Sequence, residues 1–192
     1  MIDHILCITL PHRMDRHAQA QAEFERAGIP ALFVQGMYAD DGRIGLMKAL
    51  VNVFIAHDGN IMVFEDDVQF TVNVKNVLGQ ALSELPDEWD MLYLGANLCK
   101  PTAPYSPHLV RIRGALAAHA VLYNRRMVPE YLAHLNRVVA QGYVADQSDI
   151  SDVFLTTIQE RGMTYLTVPT LATQRPGWSD IEKREVNYTD IL

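Results

Sequence analysis

The stretch Ile61-Met62-Val63-Phe64-Glu65-Asp66-Asp67 decides the fold. Four uninterrupted apolar residues read as a strand buried on both faces, and three consecutive acids end it. Strands of that kind belong to sheets covered by helices. In such sheets ligands bind beyond the carboxyl ends of the strands, which is where Glu65, Asp66 and Asp67 fall. Adjacent carboxylates repel one another unless something neutralises them. A hard divalent cation, Mg2+ or Mn2+, suits carboxylate oxygens. The tripeptide fits a solvated loop or a helix N-cap as well, so alone it leaves the choice open.

Working outward, residues 5–10 form another nearly continuous apolar run. Pro11 follows it, and residues 15–27, rich in Ala, Gln and Glu, read as a helix capped by Gly28. Residues 31–34 predict a strand. Residues 46–56 predict a helix, with Leu46, Ala49, Leu50, Val53 and Phe54 on one face. A turn at 58–60 leads into the strand 61–64. A helix over 72–85 ends before Pro86, and a strand over 91–94 is stopped by Gly95. The second half is less regular. Pro101, Pro104 and Pro107 make 97–108 a loop, and 109–112 and 117–123 read as strands of antiparallel type. Residues 126–141 and 151–161 read as helices, 165–168 as a last strand, and the chain from Gln174 onward as a polar tail. The expectation is an α/β fold of Rossmann-like kind, a mixed, mostly parallel sheet flanked by helices, in one domain over 1–192.

Composition bounds the function. At 192 residues and 49% hydrophobic, the chain can bury a real core and is no disordered segment. Its net charge of −7, with no Lys/Arg run, makes it a poor binder of nucleic acid or anionic membranes, and no nucleic-acid partner is expected. A phosphate-bearing ligand needs local help against that field. Two cysteines, Cys7 and Cys99, make neither a zinc ribbon nor a disulfide framework, and a reducing compartment fits. The opening Met1-Ile2-Asp3-His4 lacks the basic region of a signal peptide, and no apolar run approaches the roughly 18 residues of a membrane span. A cytoplasmic domain without a transmembrane segment is the expectation.

Six segments in order resemble glycosyltransferase family 25, which includes bacterial lipooligosaccharide galactosyltransferases and collagen galactosyltransferases. They are Thr9-Leu10-Pro11-His12-Arg13-Met14-Asp15-Arg16, Phe64-Glu65-Asp66-Asp67-Val68, Glu88-Trp89-Asp90-Met91-Leu92-Tyr93-Leu94-Gly95, Ala118-His119-Ala120-Val121, Asp152-Val153-Phe154-Leu155, and Gln174 with Ser179-Asp180-Ile181. The resemblance, in order and rough spacing, covers about residues 5–182. Two departures stand out. Thr9 replaces the family's Asn, and Gly45-Leu46-Met47-Lys48-Ala49-Leu50 lacks the Ser and His of the family's helix.

The resemblance implies a GT-A-like fold, a UDP-sugar donor, Mn2+ or Mg2+, and inverting transfer to a glycan or protein hydroxyl. It makes Asp67 the first metal ligand, with Asp66 beside it, and puts Glu65 and Asp66 on the ribose or a metal-bound water. It picks Asp152 as the base. Asp149 is the alternate, because Asp146, Asp149 and Asp152 recur every three residues at a helix start, where acids are also ordinary dipole partners. Thr9, Leu10, Arg13, Arg16, Gly45 and Asp180 are the further donor-binding candidates. Surface arginines and turn chemistry are the plain alternatives for Arg13, Arg16, Gly45 and Asp180. His119 reads as a core histidine, Cys7 as core, and Trp178 as a packing residue or a stacking face for a sugar.

The expected activity is hexosyl transfer in glycan or lipopolysaccharide biosynthesis, with galactose as one donor sugar. A non-catalytic nucleotide-sugar or glycan-binding domain is the alternative. A metal-dependent phosphohydrolase is weaker, because no D-x-D follows the first strand.

Overall fold

Short apolar runs become strands and the longer stretches between them become helices, in alternation over the first half. Here β1 (His4–Thr9) leads to α1 (Met14–Ala27), and β2 (Leu32–Gln35) to α2 (Gly42–Ala56). Next come β3 (Ile61–Glu65), the short β4 (Val68–Phe70) and α3 (Val74–Glu84). Six strands follow without a helix between them: β5 (Met91–Tyr93), β6 (Asn97–Leu98), β7 (Ala103–Ser106), β8 (Leu109–Arg111), β9 (Ala115–Leu116) and β10 (Ala120–Tyr123). The chain continues through α4 (Val128–Gln141), a 3-10 turn (Gln147–Asp149), α5 (Ser151–Gln159), β11 (Thr164–Thr167) and β12 (Ala172–Gln174). A hairpin of β13 (Gly177–Ser179) and β14 (Arg184–Val186) completes it. The computed structural model describes residues 2–71 and 73–187.

Eight strands form one sheet in the order β2-β1-β3-β10-β5-β11-β8-β7. Strands β10 and β8 run against the other six, so the sheet is mixed and mainly of one direction, as expected. The period-two alternation of each strand feeds two cores. Leu6, Ile8, Val63, Val121 and Tyr123 face α2, α4 and α5, which contribute Leu50, Phe54, Tyr131, Leu135 and Leu155. Cys7, Met62, Phe64, Leu92 and Leu122 face α1 and α3, which contribute Phe24, Val74 and Leu78. Phe24 packs edge-on against Phe64 and Phe70 with ring centroids 5.2 and 5.3 Å apart. Each fully buried aromatic of this kind contributes about 1.5–3 kcal/mol.

Local chemistry sets the element ends. Gly28 takes the left-handed conformation that caps α1, its N–H reaching the carbonyls of Glu25 and Phe24. Helix α2 begins at Gly42, four residues before the expected start, because the Asp41 carboxylate accepts the Arg43 N–H at 2.9 Å. The loop expected over 97–108 instead contains β6 and β7. Pro104 is tolerated in β7 because that strand is the sheet's edge, and a bulge separates Pro104 from Ser106. The polar tail carries β13 and β14, whose pairing needs little apolar surface. Val72, the expected first residue of the third helix, lies outside the described residues, as does the tail beyond 187. Among the described residues no helix is long and apolar enough to cross a membrane. Cys7 is buried and Cys99 exposed, and both are free thiols.

Candidate functional site

The site grows from the carboxyl end of β3. Glu65 pairs in register with Ile8, so the end of β1 lies beside it. Strand β10 runs antiparallel to β3 with Ala120 opposite Phe64. The residues just before β10 therefore flank the acids, and the Glu65 N–H donates to the His119 carbonyl at 2.9 Å. The first turn of α5 meets this segment. Asp152 Oδ2 accepts the N–H of Ala117 at 2.9 Å and of Ala118 at 3.4 Å. In this way Asp152, far away in sequence, joins Glu65, Asp66 and Asp67 in the wall of one cavity of about 350 Å³.

Arg16 also lines that cavity. Its Nη1 donates to Asp66 Oδ1 at 2.8 Å and lies 3.5 Å from Asp67 Oδ2. Apolar side chains complete much of the wall: Ile8 and Leu10 from β1 and its end, Met37 from the β2–α2 loop, Leu46 and Ala49 from α2. The β13–β14 hairpin supplies Ser179, Asp180 and Ile181.

Electrostatically the cavity is overloaded with negative charge. Burial, opposed by Arg16 and reinforced by Asp66, pushes the Asp67 carboxyl up to about 6. Its Oδ1 is buried and has no hydrogen-bond partner. Burial, then the charges of Asp67, Asp152 and Asp66, push Glu65 well above the ordinary carboxylate range. Burial also raises Asp152, against the two backbone N–H groups that favour its charged form. Among the described residues neither Glu65 nor Asp152 has a salt-bridge partner, and no group of three or more His, Cys, Asp or Glu side chains forms a ready metal cage.

Of the candidates named from sequence, Leu10, Arg16, Glu65, Asp66, Asp67, Asp152 and Asp180 line the cavity. Thr9, Arg13, Gly45 and Asp149 do not. Thr9 is buried with an unpartnered Oγ1 at the end of β1, and its carbonyl accepts the Gly36 N–H at 2.7 Å. Arg13 grips Asp15 and, through Nη1, Asp180, so it holds the hairpin from outside the cavity. Gly45 serves close packing, since a Cβ there would lie 2.3 Å from the Met37 carbonyl oxygen. Asp149 faces α4, bound by Arg137 at 2.7 Å, the Ala145 N–H at 2.9 Å and Gln141 at 3.1 Å. The Ala145 N–H, foremost, and Arg137 hold its carboxyl at about 2. His119 is buried, with Nδ1 3.0 Å from the Ala117 carbonyl. Trp178 is about half exposed on the hairpin.

Sequence reasoning missed Met37, Asn97 and Leu116 in the cavity wall. No local signal marks them: they sit in loops and short strands, and only the sheet order brings them together.

No protein-family model matches the chain, and no curated protein matches it. Among solved structures, it is similar to a CTP:phosphocholine cytidylyltransferase from Streptococcus pneumoniae, at 13% identity and a TM-score of 0.46, over 89% of this chain and 72% of that one. It is similar to mouse xyloside xylosyltransferase 1 at 12% identity and a TM-score of 0.47, over 85% and 84%. It is also similar to a glycosyltransferase involved in glycosylation of the major capsid of PBCV-1, at 8% identity and a TM-score of 0.45, over 87% and 93%. At these identities and scores the likenesses do not bear on activity.

Proposed function

We propose that this chain is a glycosyltransferase of GT-A-like fold. It moves a hexose, with galactose the first candidate, from a UDP-sugar to a hydroxyl of a glycan or protein, with inversion and with Mn2+ or Mg2+. The observation that carries this reading is the convergence of Asp152 with Glu65, Asp66 and Asp67 in one partly apolar cavity.

In this reading Asp152 removes the proton of the acceptor hydroxyl. Burial lifts its carboxyl toward the range where a base both holds and releases a proton, while the Ala117 and Ala118 N–H groups orient it. Leu10, Leu46 and Ala49 exclude water and offer apolar surface to the base and ribose of the donor. The residues at Asp66 and Asp67 fit a divalent cation. They are hard oxygen donors, and the buried Asp67 Oδ1 lacks a partner. Mg2+ is commonly bound by one or two carboxylates together with substrate phosphates, so a full protein cage is not required. When bound, the cation takes up charge on the departing diphosphate.

The test is UDP release from a panel of UDP-sugars with and without Mn2+. The expected outcome is Mn2+-dependent release that Asp152→Asn abolishes without weakening UDP binding, and UDP binding that Asp67→Ala weakens. If no UDP-sugar gives UDP and Asp67→Ala binds UDP as well as the wild type, the transferase reading is abandoned. UDP binding without turnover assigns the chain to the non-catalytic class.

A further inference from the structure

One guanidinium ties the acid cluster to the C-terminal hairpin. Besides its bonds to Asp66 and Asp67, Arg16 donates from Nη2 to the Trp178 carbonyl at 2.9 Å. The hairpin buries little of itself: among residues 177–187 only Val186 is buried. Polar contacts therefore do much of the holding. Arg13 grips Asp180, Lys183 Nζ donates to the Asp40 carbonyl at 3.2 Å, and the turn at 180–181 packs against Gly42.

We propose that Arg16 is a positioning residue that sets the hairpin according to what neutralises the acid cluster. While Arg16 is the counterion of Asp66 and Asp67, it also holds Trp178 and keeps the hairpin on the cavity. Arg16 gives up the carboxylates when a divalent cation takes them, because the two positive charges then compete for the same oxygens. Its bond to the Trp178 carbonyl then no longer ties the hairpin to the acid cluster, because the ion-pair end of the bridge is gone, and the hairpin loosens. Ser179, Asp180 and Ile181 belong to the cavity wall, so loosening widens the entrance when the cation is in place. The freed guanidinium suits the phosphates of a nucleoside diphosphate. This inference rests on the proposed cation site. It adds that the chain's own arginine is the ion's competitor and that the hairpin reports the exchange.

Hydrogen exchange of the full chain, with and without Mn2+ at constant ionic strength, tests it, with calorimetry measuring Mn2+ binding in parallel. Peptides covering 177–186 are expected to exchange ~10-fold faster with Mn2+, while those of α3 stay unchanged. Arg16→Met is expected to exchange at the fast rate with or without Mn2+. Arg16→Lys, which has one nitrogen where the guanidinium reaches Asp66 and the Trp178 carbonyl with two, is expected to be looser than the wild type without Mn2+, which keeps the test open should Arg16→Met not fold. Arg13→Met is expected to loosen the hairpin yet still respond to Mn2+. Emission from Trp178 gives a second readout, because the other tryptophan, Trp89, is buried and Trp178→Phe removes the signal. Mn2+ binding by calorimetry with unchanged or slower hairpin exchange overturns this inference and leaves the cation site standing. Failure of Mn2+ to bind, both alone and with UDP present, overturns both.

Discussion

Replacing Asp67 with asparagine tests whether the acid cluster is kept at the expense of stability. Asp67 is only 6% exposed, its Oδ1 is unpartnered, and its carboxyl is pushed from an ordinary 3.8 to about 6. Between those two values the native state binds more protons than the unfolded chain, so stability falls as pH rises through the window. The gap corresponds to about 3 kcal/mol of stability, fully present below pH 3.8 and lost above pH 6. The amide introduced by Asp67→Asn has the same shape as the carboxylate without its charge. The expected outcome is a variant near wild-type stability at pH 4 and up to about 3 kcal/mol more stable at pH 8, roughly 6–12 °C in Tm for a chain of this size. The assay is thermal and denaturant unfolding of both proteins across pH 4–8 with a chelator present. Mn2+ is expected to stabilise the wild type at pH 8 and not the variant. A stability difference that does not change with pH, or an Asp67→Asn protein less stable at pH 8 than the wild type, refutes the reasoning.

Asp152→Asn is expected to lower turnover by ~10²–10⁴ with donor affinity kept, measured by steady-state kinetics and calorimetry. In the wild type, turnover should rise with pH through a carboxyl titration displaced upward, because burial raises Asp152 and only its charged form accepts a proton. Asp149→Asn should instead lower Tm and leave turnover untouched. Because its carboxyl is depressed, the stability it contributes is present above pH 3.8 and lost as pH falls toward 2, which melting curves against pH will check. Two glycines give changes of opposite sign in denaturant unfolding. Gly95→Ala puts a Cβ 1.9 Å from the Ala172 carbonyl oxygen and should cost about 1–3 kcal/mol. Gly79→Ala, inside α3 with open space around it, should gain about 0.5–1 kcal/mol.

Much of the fold was legible because its causes are local. The unbroken apolar runs at 61–64 and 91–94 are buried strands, and Gly28 ends α1 as a glycine in the left-handed region does. What escaped reading was pairing over long distance. Strand β4 needs β12, and β6 needs β9, to be strands at all. The periodicity of Asp146, Asp149 and Asp152 illustrates the limit most directly. Three acids at one spacing look alike in sequence, yet Asp146 caps the 3-10 turn through the Ser148 N–H, Asp149 is clasped by α4, and Asp152 alone reaches the cavity.

By itself the sequence determined an α/β chain with an acidic strand end, because burial periodicity, caps and charge are written in neighbouring residues. Only the tertiary structure decided which acid from the second half would meet Glu65, Asp66 and Asp67, and that Arg16 would bridge them to the hairpin. Those choices depend on β10 entering antiparallel beside β3 and on α5 docking against the residues just before β10. Such long-range register is set by the packing of the whole sheet, and no short stretch of the chain carries it.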